Sequence, residues 1–306
     1  MSDFTTVFQD DFSGSRLDTG IWRSQYSGQY GNGMFRWDPG QIEIGGGVLT
    51  IATERAGGSW VSGGLSTIPE GQTYGRYEFR ARIEEGQGTA GVILLWPSDG
   101  QWTDEVDIIE THDPDRDSFA FVNHGSPWTT EYVRTDVDEW HTYALDWTPG
   151  NLTLYVDGRE VASIDRDVPS QDMAFGIQGH VLGDDESWYG GGPDGSTPDR
   201  VEIEVDWVRV SAWTPGEGRD EQEPEADAAE AGRWIAAEAD EEAGEWDAAG
   251  WSGEAEWNAG ETDTAADDAE EDEDPLAAFT TDGEVDWEAV AAQVRANFEE
   301  TGQWFI

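Results

Sequence analysis

Between Val7 and Val210 the chain keeps a two-residue rhythm with which little but β-structure is compatible. Short runs rich in β-branched and aromatic residues, such as 48–54, 74–83, 142–147, 152–158 and 201–210, are separated by Gly, Pro, Asn and Asp. In the last run Val201, Ile203, Val205 and Trp207 fall on one face and Glu202, Glu204 and Asp206 on the other, the signature of a half-buried strand. Nothing in this region sustains a helical stripe. Turn signals such as Pro149-Gly150-Asn151 and Asp157-Gly158 recur at intervals of roughly 8–12 residues. The pattern predicts an all-β fold, a two-sheet antiparallel β-sandwich, with Trp147 and Trp207 in its core.

Charge divides the chain. The 306 residues carry 67 Asp and Glu against 16 basic residues, a net charge of −51. All the bases are Arg, and Cys is absent. Residues 1–215 hold 37 acids and 13 Arg (−24); residues 216–306 hold 30 acids and 3 Arg (−27) and are rich in Ala and Gly. This predicts one β-sandwich domain over 1–215 and a mostly disordered acidic tail over 216–306. Within the tail, Trp287, Val290, Val294 and Phe298 have helical spacing. Thr281 and Glu284 suit a capping box, so an amphipathic helix is expected over 281–298, ahead of Trp304-Phe305-Ile306. So acidic a surface disfavours nucleic acid and anionic membranes as partners. The longest apolar run, Gly91 to Trp96, is too short to span a bilayer. The chain is expected to act as a monomer. Without Cys there is no disulfide framework and no thiol chemistry.

The segment from Trp102 to His112 (WTDEVDIIETH) carries the strongest chemical signal. On a strand Glu105 and Asp107 share one face while Val106 and Ile108 point inward. Strict alternation would send Glu110 inward too, burying an unpaired carboxylate at a cost of several kcal/mol. A β-bulge near Ile108–Ile109 would return Glu110 to the face of Glu105. Three crowded carboxyls raise the pKa of at least one, giving an acid beside an ionised nucleophile. In a chain this acidic the spacing also arises by chance, so a strand of a salt-adapted acidic surface remains an alternative on pattern alone.

The same segment resembles the signature of glycoside hydrolase family 16, E-[aliphatic]-D-x-x-E, in its bulge-containing, laminarinase-like form. The resemblance spans about residues 8–211. It includes Phe8-Gln-Asp-Asp-Phe12, Leu17 to Trp22, Gly47 to Ile51, Tyr74 to Arg82, Trp140 to Trp147, Tyr155 to Gly158 and Val205 to Val210. It implies a lectin-like jelly roll and an endo-acting, retaining hydrolase of a β-1,3- or mixed-linkage β-glucan, or of a related exopolysaccharide. By that resemblance Glu105 is the nucleophile, Glu110 the acid and base, and Asp107 the residue that tunes them. His124 matches a position near the acids, with a purely structural His as the alternative. Sugar platforms are expected from Trp96 and Trp102, flanking the catalytic strand, and from Trp37, Trp128 and Trp188 in loops. The resemblance implies no cofactor for catalysis. It does allow a structural calcium at Asp11, Gly47 and Asp206. Few bases (Arg36, Arg116, Arg134) stand near the expected cleft, which disfavours anionic galactans. A lectin-like module that binds without cleaving is the rival reading. A polysaccharide substrate places the protein outside the cell. The opening MSDFTTVFQDDF has no signal-peptide pattern, so export through the C-terminal segment is expected, with a cytoplasmic location the alternative.

Overall fold

The computed structural model describes residues 3–30, 34–67, 71–100, 104–126, 128–183 and 191–215, together with 280–281 and 284–285. Eighteen strands follow one another in the first part. They begin with β1 (Asp3–Asp10), β2 (Ser24–Gln25), β3 (Gly28–Gln29), β4 (Phe35–Trp37), β5 (Ile42–Gly45) and β6 (Val48–Ala56). Next come β7 (Ser59–Ser62), β8 (Gly64–Ser66), β9 (Gly75–Ile83), β10 (Thr89–Pro97), β11 (Val106–Glu110) and β12 (Ser118–Asn123). The set closes with β13 (Thr129–Arg134), β14 (His141–Thr148), β15 (Asn151–Val156), β16 (Arg159–Ile164), β17 (Met173–Val181) and β18 (Arg200–Thr214). One 3-10 turn, Pro39–Gln41, is capped by the Asp38 carboxylate, which accepts from Gly40 N at 2.8 Å.

The strands form two sheets. The back sheet runs β16-β15-β14-β9-β18-β6-β7-β4-β3, with β1 beside β18 and β5 beside β6. The front sheet runs β13-β12-β11-β10-β17-β8-β2. Pairing is antiparallel except between β4 and β7. This is the expected sandwich, and alternation builds it. Tyr77, Phe79, Ala81 and Ile83 of β9 face Ile93 and Leu95 of β10 and Phe175 and Ile177 of β17 in one core between the sheets. Each fully buried Phe, Ile or Leu among them contributes about 1.5–3 kcal/mol. Trp147 lies in this core and donates from Nε1 to Pro169 O at 2.9 Å.

The partner set of β9, Arg76, Arg80 and Arg82, faces outward into acids of the neighbouring strands. Arg76 meets Asp146 at 2.7 Å, Arg80 meets Asp206 at 2.8 Å, and Arg82 donates to Glu204 at 2.6 Å. Arg200 extends the ladder to Glu54 at 2.9 Å and Glu43 at 3.0 Å.

Two expectations need correction. Trp207 is not in the core: β18 slips by one residue against β9 between Val205 and Trp207, so Val208 and Val210 turn inward instead. Trp207 stays half-buried on the outside, with the Arg209 guanidinium 5.6 Å from its ring centre. A fifteen-residue strand that pairs with β6, β9 and β1 must bend, and the bulge supplies the bend. In the tail, Thr280–Thr281 (β19) pairs antiparallel with Glu284–Val285 (β20), where a helical first turn was expected. Thr and Val favour strand over a helical first turn. The remainder of the expected helix, and residues 216–279, lie outside the described residues.

Candidate active site

Strand β11 sits inside the front sheet between β10 and β12. Its register shows how the acids come together. Against β10, Leu94 faces Asp107 and Val92 faces Glu110, with a slip between Ile93 and Leu94. Against β12, Val122 faces Asp107 and Ala120 faces Glu110, again with one residue extra on β11. Ile108 and Ile109 both lie in the inter-sheet core, fully buried. Two successive side chains thus point inward, and Glu110 returns to the outer face of the front sheet beside Asp107. The burial argument from sequence required this extra residue at this place.

The electrostatics follow from position. Asp107 is 3% exposed, and burial raises its carboxyl from 3.8 to about 8, with an opposing contribution from a hydrogen bond to Glu105. A bond between two carboxyls needs a proton, and the raised pKa places that proton on Asp107 at neutral pH. Asp107 Oδ2 lies 2.7 Å from His124 Nε2. The set is consistent when Asp107 carries the proton it shares with Glu105 and presents Oδ2 to His124 Nε2. The backbone holds the pieces in register: His124 N donates to Glu105 O at 2.9 Å, and Trp128 packs its ring edge-on to His124 at 4.6 Å. Glu110, 7% exposed, stands on the same face as the fourth ionisable group.

The expected platform residues scatter. Trp96 lies in the floor of the outer face with Val92, Leu94 and Ala174. Trp128 is beside His124. Trp37 is the last residue of β4, not a loop residue, and is 1% exposed. Its ring is enclosed by Phe35 at 4.8 Å, Tyr26 at 5.3 Å and His180 at 5.5 Å, so it presents no open face. Trp102 and Trp188 lie outside the described residues. Arg116, expected near the cleft, is instead buried. It donates to Glu84 O at 2.9 Å, Asp113 O at 2.7 Å and Thr89 O at 3.0 Å, and desolvation lowers its pKa to about 10.

Sequence reasoning missed three residues of this face. Tyr26 follows the two-residue strand β2; burial raises its phenol, which interacts with Ser66 and senses the Glu105 carboxylate. A strand that short has no periodicity to read. His112 hydrogen-bonds the Glu110 main chain, and Tyr132 lies edge-on to it at 5.2 Å. Strand β13 reads TTEYVR, a mixed pattern that hides which of its residues face outward.

Among the described residues, two groups have donor atoms close enough to hold a cation: Glu105, Asp107 and His124, and, on the back-sheet side, Glu84, Glu202 and Glu204. The second is interleaved with Arg82 and Arg200. Of the residues expected to bind calcium, Asp11 and Asp206 line one surface hollow with Gln9, Asp10 and Trp207, while Gly47 is a positive-φ turn residue. Arg80 already supplies Asp206 with a counter-charge, so this donor set does not call for a metal ion.

Known proteins share this architecture. The catalytic domain of a laminarinase from Thermotoga maritima superposes with a TM-score of 0.61 at 18% identity, covering 68% of this chain and 98% of that one. Among curated relatives, the Endo-1,3-1,4-beta-glycanase EglC of Rhizobium meliloti is 26% identical over 242 residues, 67% of this chain and 51% of its own. A Beta-glucanase of Rhodothermus marinus is 29% identical over 250 residues, 68% of this chain and 85% of its own. The chain thus spans about half the length of the first of these relatives. The family described as Glycosyl hydrolases family 16 matches residues 30–209, more than half of the sequence and every front-sheet strand except β2. This chain belongs to glycosyl hydrolases family 16.

Proposed function

We propose that the protein is an endo-acting β-glucan hydrolase that works by double displacement with retention. The observation that supports the reading is the bulge that returns Glu110 to the face of Asp107, beside which Glu105 and His124 lie. Glu105 attacks the anomeric carbon as its glycosidic C–O bond breaks. The bonding pair leaves with the oxygen, which takes a proton from Glu110. Water then gives a proton to Glu110 and opens the Glu105 ester from the opposite side, regenerating both carboxyls. Asp107 keeps Glu105 ionised and aimed by donating to it; His124 fixes Asp107. A β-1,3- or mixed-linkage glucan, or a related exopolysaccharide, is the substrate class supported by the relatives named as endo-1,3-1,4-beta-glycanase, beta-glucanase and laminarinase. Such a polymer places the protein's work outside the cell.

Release of reducing ends from laminarin and lichenan tests the reading. The native chain is expected to release them and Glu105→Gln to be slower by at least about 10³-fold. Nuclear magnetic resonance of the first product is expected to show the β-anomer. Equal release by both proteins would refute Glu105 as the nucleophile, and binding without release by the native chain would place it among lectin-like binders instead.

A further inference from the structure

We infer that Tyr132, held by His112, is a stacking platform for a pyranose unit on the leaving-group side of the cleaved bond, a reading that rests on Glu110 acting as the acid. Strand pairing puts Tyr132 there. Glu110 faces Ala120, and Ala120 faces Tyr132, so the three side chains share one cross-strand row and one face. Phe119, Phe121 and Val133, their sequence neighbours, point the other way into the core. Two strand spacings separate Glu110 from Tyr132, roughly 9–10 Å, the scale of two linked pyranose rings.

Exposure and attachment make the ring a platform. Tyr132 is 58% exposed, and among the described residues only Val161, on the back sheet, is another large apolar side chain so open. Single exposed apolar residues are ordinary, but this one is tied to the acid. The His112 imidazole hydrogen-bonds the Glu110 main chain and sets its ring 5.2 Å from that of Tyr132 at 65°. That fixes a flat, apolar surface with a polar tip in line with the proton donor, a surface suited to the apolar face of a sugar ring. Because Glu110 serves the leaving oxygen, the units over its row are those that depart. The phenol lies two strands away, so it meets the second departing unit rather than the first.

Two substrates separate this role from the chemistry. Laminarihexaose places glucosyl units on both sides of the cleaved bond. A para-nitrophenyl β-laminaribioside has a leaving group that reaches only the first departing position. In the full chain, Tyr132→Ala is expected to lower kcat/KM for the hexaose about tenfold while leaving the aryl glycoside within about twofold. Tyr132→Phe, which keeps the ring, is expected to restore the hexaose value. Equal losses on both substrates, or no loss on the hexaose, would overturn the inference. If the native chain cleaves neither substrate, the hydrolase reading fails and binding decides the platform. Calorimetric affinity of Glu105→Gln for the hexaose is expected to weaken about tenfold on adding Tyr132→Ala. An unchanged affinity would overturn it.

Discussion

Replacing Asp107 by Asn mimics the protonated acid permanently, since the amide can donate to Glu105 and accept from His124 as the neutral carboxyl does. The consequence is a stability difference that depends on pH. In the unfolded chain Asp107 titrates at 3.8 and in the fold at about 8. The folded carboxyl therefore keeps its proton over a range in which the unfolded one has released it. Its contribution to stability is complete below the unfolded value and is lost as pH rises through the folded one. Between those limits the native chain loses roughly 1.4 kcal/mol per pH unit at this site, and the Asn variant loses none of it. Urea unfolding of both proteins at about pH 5 and pH 7 should find the variant gaining about 3 kcal/mol relative to the native chain over that interval. A flat difference would refute the buried proton. That outcome would mean that Asp107 is ionised in the fold, since a carboxyl with a folded value at or below 3.8 exchanges no proton between pH 5 and pH 7.

Three further outcomes follow from the same geometry. Deleting Ile109 leaves Glu-Val-Asp-Ile-Glu, a regular strand that still presents its three acids on one face. It should fold with a loss of about 2–4 kcal/mol for one buried Ile, read by urea unfolding, and insolubility of the variant would refute the register argument. His124→Ala removes the donor to Asp107 Oδ2 at 2.7 Å and should lower kcat about 10–100-fold in the laminarin assay with little change in KM. Arg116→Met strips donors from Glu84 O, Asp113 O and Thr89 O and should cost at least about 3 kcal/mol of unfolding free energy, with kcat of the folded fraction nearly unchanged.

How much of this was legible in the sequence depends on what each residue had to satisfy. Glu110 could be placed because burying it was too costly, so one energetic conflict dictated the bulge at Ile108–Ile109. The bulge in β18 was hidden because Asp206 and Trp207 tolerate either face: no penalty flagged the slip, and Trp207 was assigned inward. Trp37 was misread for a related reason. Its enclosure comes from Tyr26, Phe35 and His180, residues brought from three separate strands or their flanks, and local pattern does not encode such a meeting. Tyr132 was invisible because its significance is a row across three strands. Pairing partners, unlike facing, are not written into a single strand.

The arginine ladder on the back sheet has an effect felt before any contact is made. By holding Arg76, Arg80, Arg82 and Arg200 against acids of the back sheet, the fold uses these bases to neutralise neighbouring carboxylates and leaves the chain's net charge of −51 uncompensated. The molecule therefore stays strongly acidic, and a polymer approaching it meets an anionic field. An uncharged glucan is indifferent to that field, whereas a sulfated or carboxylated chain is turned away at a range of about a Debye length, near 10 Å at 0.1 M salt. Selection among polymers thus begins at a distance, and added salt relaxes it without touching the cleft.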